Sequence, residues 1–301
     1  MKELIEELKK RNIKLEENVL LSNFTSYKVG GKGRLIVYPT TESELVEVVK
    51  LIDNFNIEYM MIGNGTNLLF SSKEFNKVLI KLNNFDKIEV KGNKIFAGAG
   101  ASLPRIANAA KGASLTGFEF AAGIPGTLGG AIYQNAGAYK SDMGYVVSLV
   151  RVLTPEYRII NFTNKECNFH YRESFFTHNK KYICLSAVIS LKPGKKDAIE
   201  SVMKDRLKRR MESQPLNYPS AWSVFRNPEG MASGKLIEDL GLKGLKIGGA
   251  EVSKKHANFV INTGNAKAED IHKLILFVKE KVKEEYGIDL KIEQEFVNWE
   301  N

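Results

Sequence analysis

The chain has 301 residues, 43% of them hydrophobic and 26% charged, with a formal net charge of +9. That length exceeds the usual single-domain size and supplies ample core, so two or three folding units of a soluble globular protein are expected. No apolar run approaches the roughly 20 residues of a membrane helix, and the charged opening MKELIEELKKRN reads as an amphipathic helix rather than a signal peptide, so no membrane and a cytoplasmic location are expected.

Two cysteines, Cys167 and Cys184, make neither a disulfide framework nor a zinc spacing, and His170, His178, His256 and His272 are scattered. No metal is expected. The basic residues spread along the chain except for KDRLKRR at 204–210, a run typical of a solvated helix face. Nucleic acid is therefore not expected as a partner, and the positive charge equally suits a small polyanion.

In chain order, residues 2–12 read as a helix and 35–38 as a strand ended by Pro39. Thr41, with Glu44 three residues on, makes a capping box before the apolar stripe Leu45, Val48, Val49, Ile52. The strand 57–62 follows, giving a β-α-β opening. Short strands at 78–82, 87–90 and 94–97 precede a helix at 103–111 that carries Pro104 in its first turn. Strands return at 146–153, 158–162 and 182–191. A charged helix at 198–211 leads into a proline-rich ordered loop, 214–228. Beyond it come a helix at 234–240, strands at 246–248 and 256–261, the helix Ala268–Tyr286 and a final strand at 290–297. The pattern is α+β.

Two glycine-rich stretches stand out. GFEFAAGIPGTLGGAIYQNAGAY, 117–139, holds six glycines in 23 residues. Such density is expected where the chain needs positive φ or close backbone approach, as under a flat ligand that accepts N–H bonds from 129–137. GNGTN at 63–67, after an apolar run, can form an anion-binding concavity, although many Asn-Gly pairs are ordinary turns. GAGA at 98–101 adds a third.

Arg172, in HYRESFF, is a fixed cation able to grip a carboxylate with two parallel bonds, although an arginine in such a setting is more often on the surface. Ser223, in SAWSVF, lacks a GxSxG context and a histidine partner, so a hydrolase nucleophile is unsupported. Its hydroxyl can still donate a proton to a strong carbon base. Alternation along 290–297 puts Glu293 and Glu295 on one face, opposite Ile292 and Gln294.

With these residues in view, the chain resembles the UDP-N-acetylenolpyruvoylglucosamine reductases, flavoenzymes of bacterial cell-wall precursor synthesis. The likeness runs through TSYKVGGKGRL, IGNGTNLLFSS, GAGASL, FEFAAGIPGTLGGAIYQNAGAY, YRESFF, YPSAWSVFRNP and GKLIEDLGLKGLKIGGAEVSKKHANFVIN. It implies a two-subdomain FAD-binding region of the vanillyl-alcohol-oxidase type, at 1–72 and 73–197. A C-terminal α+β substrate domain at 198–301 would follow, in the shorter branch of the family. It implies FAD as cofactor, NADPH as reductant and the enolpyruvyl ether of UDP-N-acetylglucosamine as substrate, in a protein expected to be a monomer.

By the same resemblance Gly63, Asn64, Gly65, Thr66, Asn67 and Leu68 hold the FAD pyrophosphate. Gly123, Ile124, Pro125, Gly126, Thr127, Gly129 and Gly130 line the flavin, together with Asn135, Ala136 and Gly137. Arg172, Ser223 and Glu293 match the catalytic trio, and Tyr171, Tyr218 and Asn227 would contact substrate. Three positions depart from the family pattern. Trp222 stands where glycine is usual before the serine, Glu251 where glutamine is common, and Lys291, Ile292, Glu293 where Glu-Pro-Glu is usual, so that a two-residue shift would select Glu295. Two other readings compete: an oxidase of the same flavin fold, and a basic RNA- or nucleotide-binding module, for which clustered basic residues with exposed aromatics are missing.

Overall fold

The computed structural model describes residues 1–299. The chain forms two compact units, both discontinuous in sequence: 1–17, 35–63 and 77–208 make the first, and 18–34, 64–76 and 209–301 the second.

In the first unit the helix Lys2–Lys10 buries Leu4 and Leu8 beside the stripe of the helix Glu42–Asn54, where Leu45, Val48, Val49 and Ile52 are all buried. The stripe recurs every three to four residues, the period that turns one helix face to a core. Thr41 caps that helix by accepting the Glu44 N–H at 3.1 Å, while Glu44 reaches back to the Thr40 N–H at 2.6 Å, one residue earlier than a standard box. The associated sheet runs in the order Leu15–Leu20, Lys32–Val37, Phe75–Ile80, Tyr59–Met61, with the last pair parallel. Phe75–Ile80 is thus inserted between the two strands of the β-α-β opening.

A second sheet of the same unit is antiparallel throughout, in the order Ile159–Thr163, Val147–Leu153, Ile183–Ser190, Lys94–Gly98, Ile88–Lys91. Along Ile183–Ser190 buried and half-buried residues alternate strictly, so one face is committed to the core. That core takes in the helix Leu103–Gly112 and the short helix Leu128–Tyr133.

The second unit packs the helix Ala268–Tyr286 against a three-stranded antiparallel sheet, Lys246–Ile247, Ala250–Val252 and Val260–Asn262. Ala268, Ile271, Leu274, Ile275, Val278 and Val282 form the buried stripe, and Gly287 at φ +68 ends the helix. Tyr27, Val29 and Leu69, from the two early segments, are part of the same core. Glu251 is buried at a strand position and is answered by Lys246 at 3.2 Å.

Two expectations are corrected. The final strand is only Glu295–Val297, parallel to Leu68–Phe70, because the chain bends at Gln294. The strand expected at 256–261 is Val260–Asn262, since Phe259 N–H closes a turn on His256 O at 3.0 Å. The basic run 204–210 lies mostly exposed on the helix Lys196–Ser213, with Arg206 4.9 Å over the Tyr139 ring within the first unit and Arg210 4.6 Å over the Trp222 ring within the second.

Candidate active site

In the first unit the two glycine-rich stretches meet. A Cβ on Gly63 would sit 2.6 Å from Thr127 Oγ1, so glycine at 63 lets the two loops touch. Lys81 donates its ammonium to the Gly63 carbonyl, and burial lowers its pKa. In the sequence this cation is a single lysine within the apolar run VLIKL, with no local pattern to mark it.

Thr127 caps Leu128–Tyr133, accepting the Gly130 N–H at 3.4 Å. The main-chain N–H groups expected to serve a ligand are turned inward instead. Gly129 donates to Ala99 O and Leu128 to Ala101 O, each at 2.8 Å, while Ala131 donates to Thr127 O and Ala136 to Ala131 O. What the stretch offers is bare surface. A Cβ on Gly126 would find its nearest atoms at 3.9 and 4.0 Å, and one on Gly130 only Thr127 Oγ1 at 3.4 Å, with neither residue at positive φ. Protein packing gives no reason for glycine at either place. A flat ring lying on the main chain does, so the residues present fit a flavin.

Asn135 is buried at φ +45 and acts within the protein. Its amide donates to His170 O at 2.8 Å and accepts the Gly144 N–H at 2.9 Å, which fixes the turn carrying Arg172. Ser174 locks the same turn to Tyr133 O at 2.6 Å. Arg172 itself adopts φ +58, donates Nη2 to Gly137 O at 3.1 Å and lies 5.1 Å over the Tyr171 ring. A guanidinium can pair with a carboxylate through two parallel N–H bonds.

The second unit holds the remaining candidates. Gly65 is buried at φ +61, and a Cβ there would overlap the Phe24 carbonyl oxygen. Its own carbonyl accepts the Ser26 N–H at 3.1 Å. Glycine at 65 is therefore required by the fold before any ligand is considered. Asn67 donates its side chain to Glu293 O at 3.1 Å and accepts the Glu295 N–H at 2.9 Å on its backbone. Through Asn67, GNGTN is thus tied to the main chain of both candidate glutamates.

Glu293 N–H donates to Val224 O at 2.8 Å, and Arg226 N–H to Lys291 O at 2.9 Å, around an antiparallel bridge between Phe225 and Ile292. The residues after Ser223 therefore run alongside Glu293. The opposite side of the serine loop is clamped by Asn258, buried and unremarked in the sequence. It accepts the Val224 N–H on its backbone oxygen and the Phe225 N–H on Oδ1, both at 2.9 Å, and donates Nδ2 to Phe225 O at 2.8 Å. Such an in-register pairing of a side-chain amide with main chain has no local sequence pattern.

Trp222 sits at φ +63, a conformation that favours glycine. Tyr218 is exposed. Asn227 accepts the Ser233 N–H at 3.1 Å, tying it to the helix Ser233–Asp239. Among the described residues no three His, Cys, Asp or Glu side chains group to hold a metal ion, and no helix is long and apolar enough to cross a membrane.

Residues 34–163 match the FAD binding domain family, and the protein is an FAD-dependent oxidoreductase of α+β fold, with a vanillyl-alcohol-oxidase-type flavin region and a C-terminal α+β domain. Residues 214–297 match the UDP-N-acetylenolpyruvoylglucosamine reductase C-terminal domain. A protein of that reductase name from Caldanaerobacter subterraneus subsp. tengcongensis is 46% identical over 98% of each chain, and one from Clostridium novyi is 42% identical over 95% of this chain and 93% of its own. The chain belongs to the UDP-N-acetylenolpyruvoylglucosamine reductase family. The crystal structure of the Thermus caldophilus reductase is 32% identical and superposes with a TM-score of 0.82 over 94% of this chain and 99% of its own. Phl p 4, a grass pollen allergen with glucose dehydrogenase activity, shares the fold alone: TM-score 0.51 and 17% identity over 64% of this chain and 44% of its own.

Proposed function

We propose that this protein uses NADPH to reduce the enolpyruvyl ether of UDP-N-acetylglucosamine to the lactyl ether, UDP-N-acetylmuramate, in peptidoglycan precursor synthesis. The observation that carries the reading is the end-to-end likeness to relatives bearing the reductase name. FAD, when bound, would supply the two-electron chemistry that couples oxidation of NADPH to reduction of the substrate's double bond. Residues 1–72 and 73–197 are taken as the flavin subdomains and 198–301 as the substrate domain, in a monomeric protein.

Residues 63–68 are assigned to the diphosphate, and 123–130 with 135–137 to the flavin ring. Arg172 grips the substrate carboxylate, where negative charge builds as hydride arrives, and Glu293 in its protonated form stabilises the same charge. Ser223 then gives its hydroxyl proton to the adjacent carbon and is reprotonated from solvent. Hydride and proton together saturate the double bond. Tyr171 and Tyr218 are assigned to the substrate, as is the amide nitrogen of Asn227, whose oxygen is engaged with Ser233.

Separating the two half-reactions tests this. Flavin in Ser223→Ala should be reduced by NADPH at close to the normal rate, while reoxidation by the enolpyruvyl nucleotide falls by a factor on the order of 10²–10⁴, the scale of a lost general acid. Equal slowing of both halves, or unchanged reoxidation, removes Ser223 from the chemistry. Glu293→Gln should slow reoxidation much more than Glu295→Gln, and the reverse order would transfer the role to Glu295.

A further inference from the structure

Behind the serine loop a buried polar cluster has no place in the chemistry above. Gln294, between the two carboxylates in sequence, is 4% exposed. Its Nε2 donates to Ala221 O at 3.0 Å and to Trp222 O at 3.3 Å, and its Oε1 accepts from the Tyr27 hydroxyl at 3.0 Å. Tyr27 and Ala221 are both fully buried. Burial also raises the Tyr27 pKa, so the hydroxyl stays a donor throughout the neutral range.

Much of the surrounding core is apolar. Tyr27, Ala221, Val224 and Phe225 belong to one hydrophobic core, where a side-chain amide is costly unless its hydrogen bonds are made. An amide at this position makes sense through what it holds. The two carbonyls lie immediately before Ser223, and between them Trp222 is kept at φ +63, a conformation that persists in an L residue only when its surroundings enforce it. On its other side the Gln294 backbone follows directly on Glu293, whose N–H is fixed to Val224 O. One side chain therefore spans from the glutamate segment to the peptide that carries the serine.

We propose that Gln294 is a positioning residue, whose amide grips the Ala221 and Trp222 carbonyls and so keeps the Ser223 hydroxyl and the Glu293 carboxyl in one fixed relation for proton delivery. The two carbonyls, able only to accept, take the N–H end of that amide, and the Tyr27 hydroxyl steadies it by donating to the oxygen end. This rests on the roles assigned above to Ser223 and Glu293.

The test uses flavin-loaded protein in rapid-mixing experiments. Gln294→Met keeps length and apolar fit but removes both ends of the amide. NADPH should reduce its flavin within roughly twofold of the normal rate, because no proton donor acts there. Reoxidation by the enolpyruvyl nucleotide should slow by about tenfold to a hundredfold, the cost of a small misplacement, with KM changing far less than kcat. Tyr27→Phe removes only the guiding hydroxyl and should slow reoxidation by about threefold, and in the Gln294→Met background it should add nothing, because the two residues act as one unit. Equal slowing of both halves in Gln294→Met would show a general loss of structure and overturn the proposal, as would unslowed reoxidation. If Gln294→Met does not fold, the same two rates in Tyr27→Phe decide, and unchanged reoxidation there overturns it. A wild-type protein that NADPH reduces but the enolpyruvyl nucleotide fails to reoxidise overturns the functional reading and this proposal with it, whereas a normal wild type with normal variants overturns the proposal alone.

Discussion

Gly130→Ala should separate what the fold needs from what the flavin needs. Gly130 is exposed inside the helix Leu128–Tyr133, and the nearest heavy atom to a Cβ there is Thr127 Oγ1 at 3.4 Å. Replacing glycine by alanine inside a helix is favourable by about 1 kcal/mol. Crowding of the Thr127 cap, which accepts the Gly130 N–H, offsets about a few tenths of that. Flavin-free Gly130→Ala should thus be more stable than wild type by about 0.5–1 kcal/mol, a rise of about 1–4 °C in Tm for a chain of this size. A methyl group between main chain and ring acts the opposite way on the cofactor. Overpacking costs about 1–3 kcal/mol, so FAD affinity should fall about tenfold or more. Thermal scans of flavin-free protein and titration of it with FAD measure the two effects separately. If Gly130→Ala binds FAD as tightly as wild type, the open surface above residues 126–130 is not where the ring lies.

Gly65→Ala should do the reverse and destabilise the flavin-free protein, by more than Gly92→Ala. Both residues have φ near +60 and incur about 1–2 kcal/mol for leaving glycine, but a Cβ at 92 meets nothing within 4 Å while one at 65 overlaps Phe24; equal losses in urea melts would contradict the packing described. Trp222→Gly should be more stable than Trp222→Ala by about 1 kcal/mol, because both lose the ring and only glycine releases the strain at φ +63; equal midpoints would mean that the strain is absent. His256 is neutral in the fold, its Nδ1 accepting the Asn258 N–H at 3.2 Å, and burial, with Lys243 nearby, lowers its pKa below the ordinary 6.5. The unfolded chain then binds the extra proton first, so His256 contributes full stability above pH 6.5 and loses it as pH falls through its lowered folded value. His256→Asn, which keeps an acceptor near that position, should flatten the fall in Tm across this window, and an unchanged slope would remove His256 as its cause.

Local signals were legible in the sequence wherever local physics decides. The Thr41 cap and the stripe after it appear where the side chains require, and so does the helix Ala268–Tyr286. Elements decided by distant partners were not. Ile57 looks like the start of a strand, but its N–H goes back to Ile52 O and ends the preceding helix. Alternation across 290–297 fails because Gln294 turns its amide to Tyr27, 267 residues away in sequence, and bends the chain. The discontinuous units have the same origin, since Tyr27 and Leu69 join a core built largely from residues beyond 220. At the site, glycine density marked the right stretches but not the reason for each residue: Gly65 serves the fold, Gly126 and Gly130 leave open surface, and the N–H groups of 128–131 are used inside the protein. Lys81, Asn258 and Gln294 carry no local pattern, because each acts on main chain far from it in sequence.

The most direct measurement is the fate of the reduced flavin. Protein reduced by NADPH without oxygen is mixed in one syringe with the enolpyruvyl ether of UDP-N-acetylglucosamine and in another with air-saturated buffer, while visible flavin absorbance is followed. Rapid return of the absorbance with the nucleotide, with one lactyl ether formed per flavin, and slow return with oxygen are the expected results. Rapid return with oxygen and none with the nucleotide would contradict the reductase assignment and identify an oxidase of the same fold.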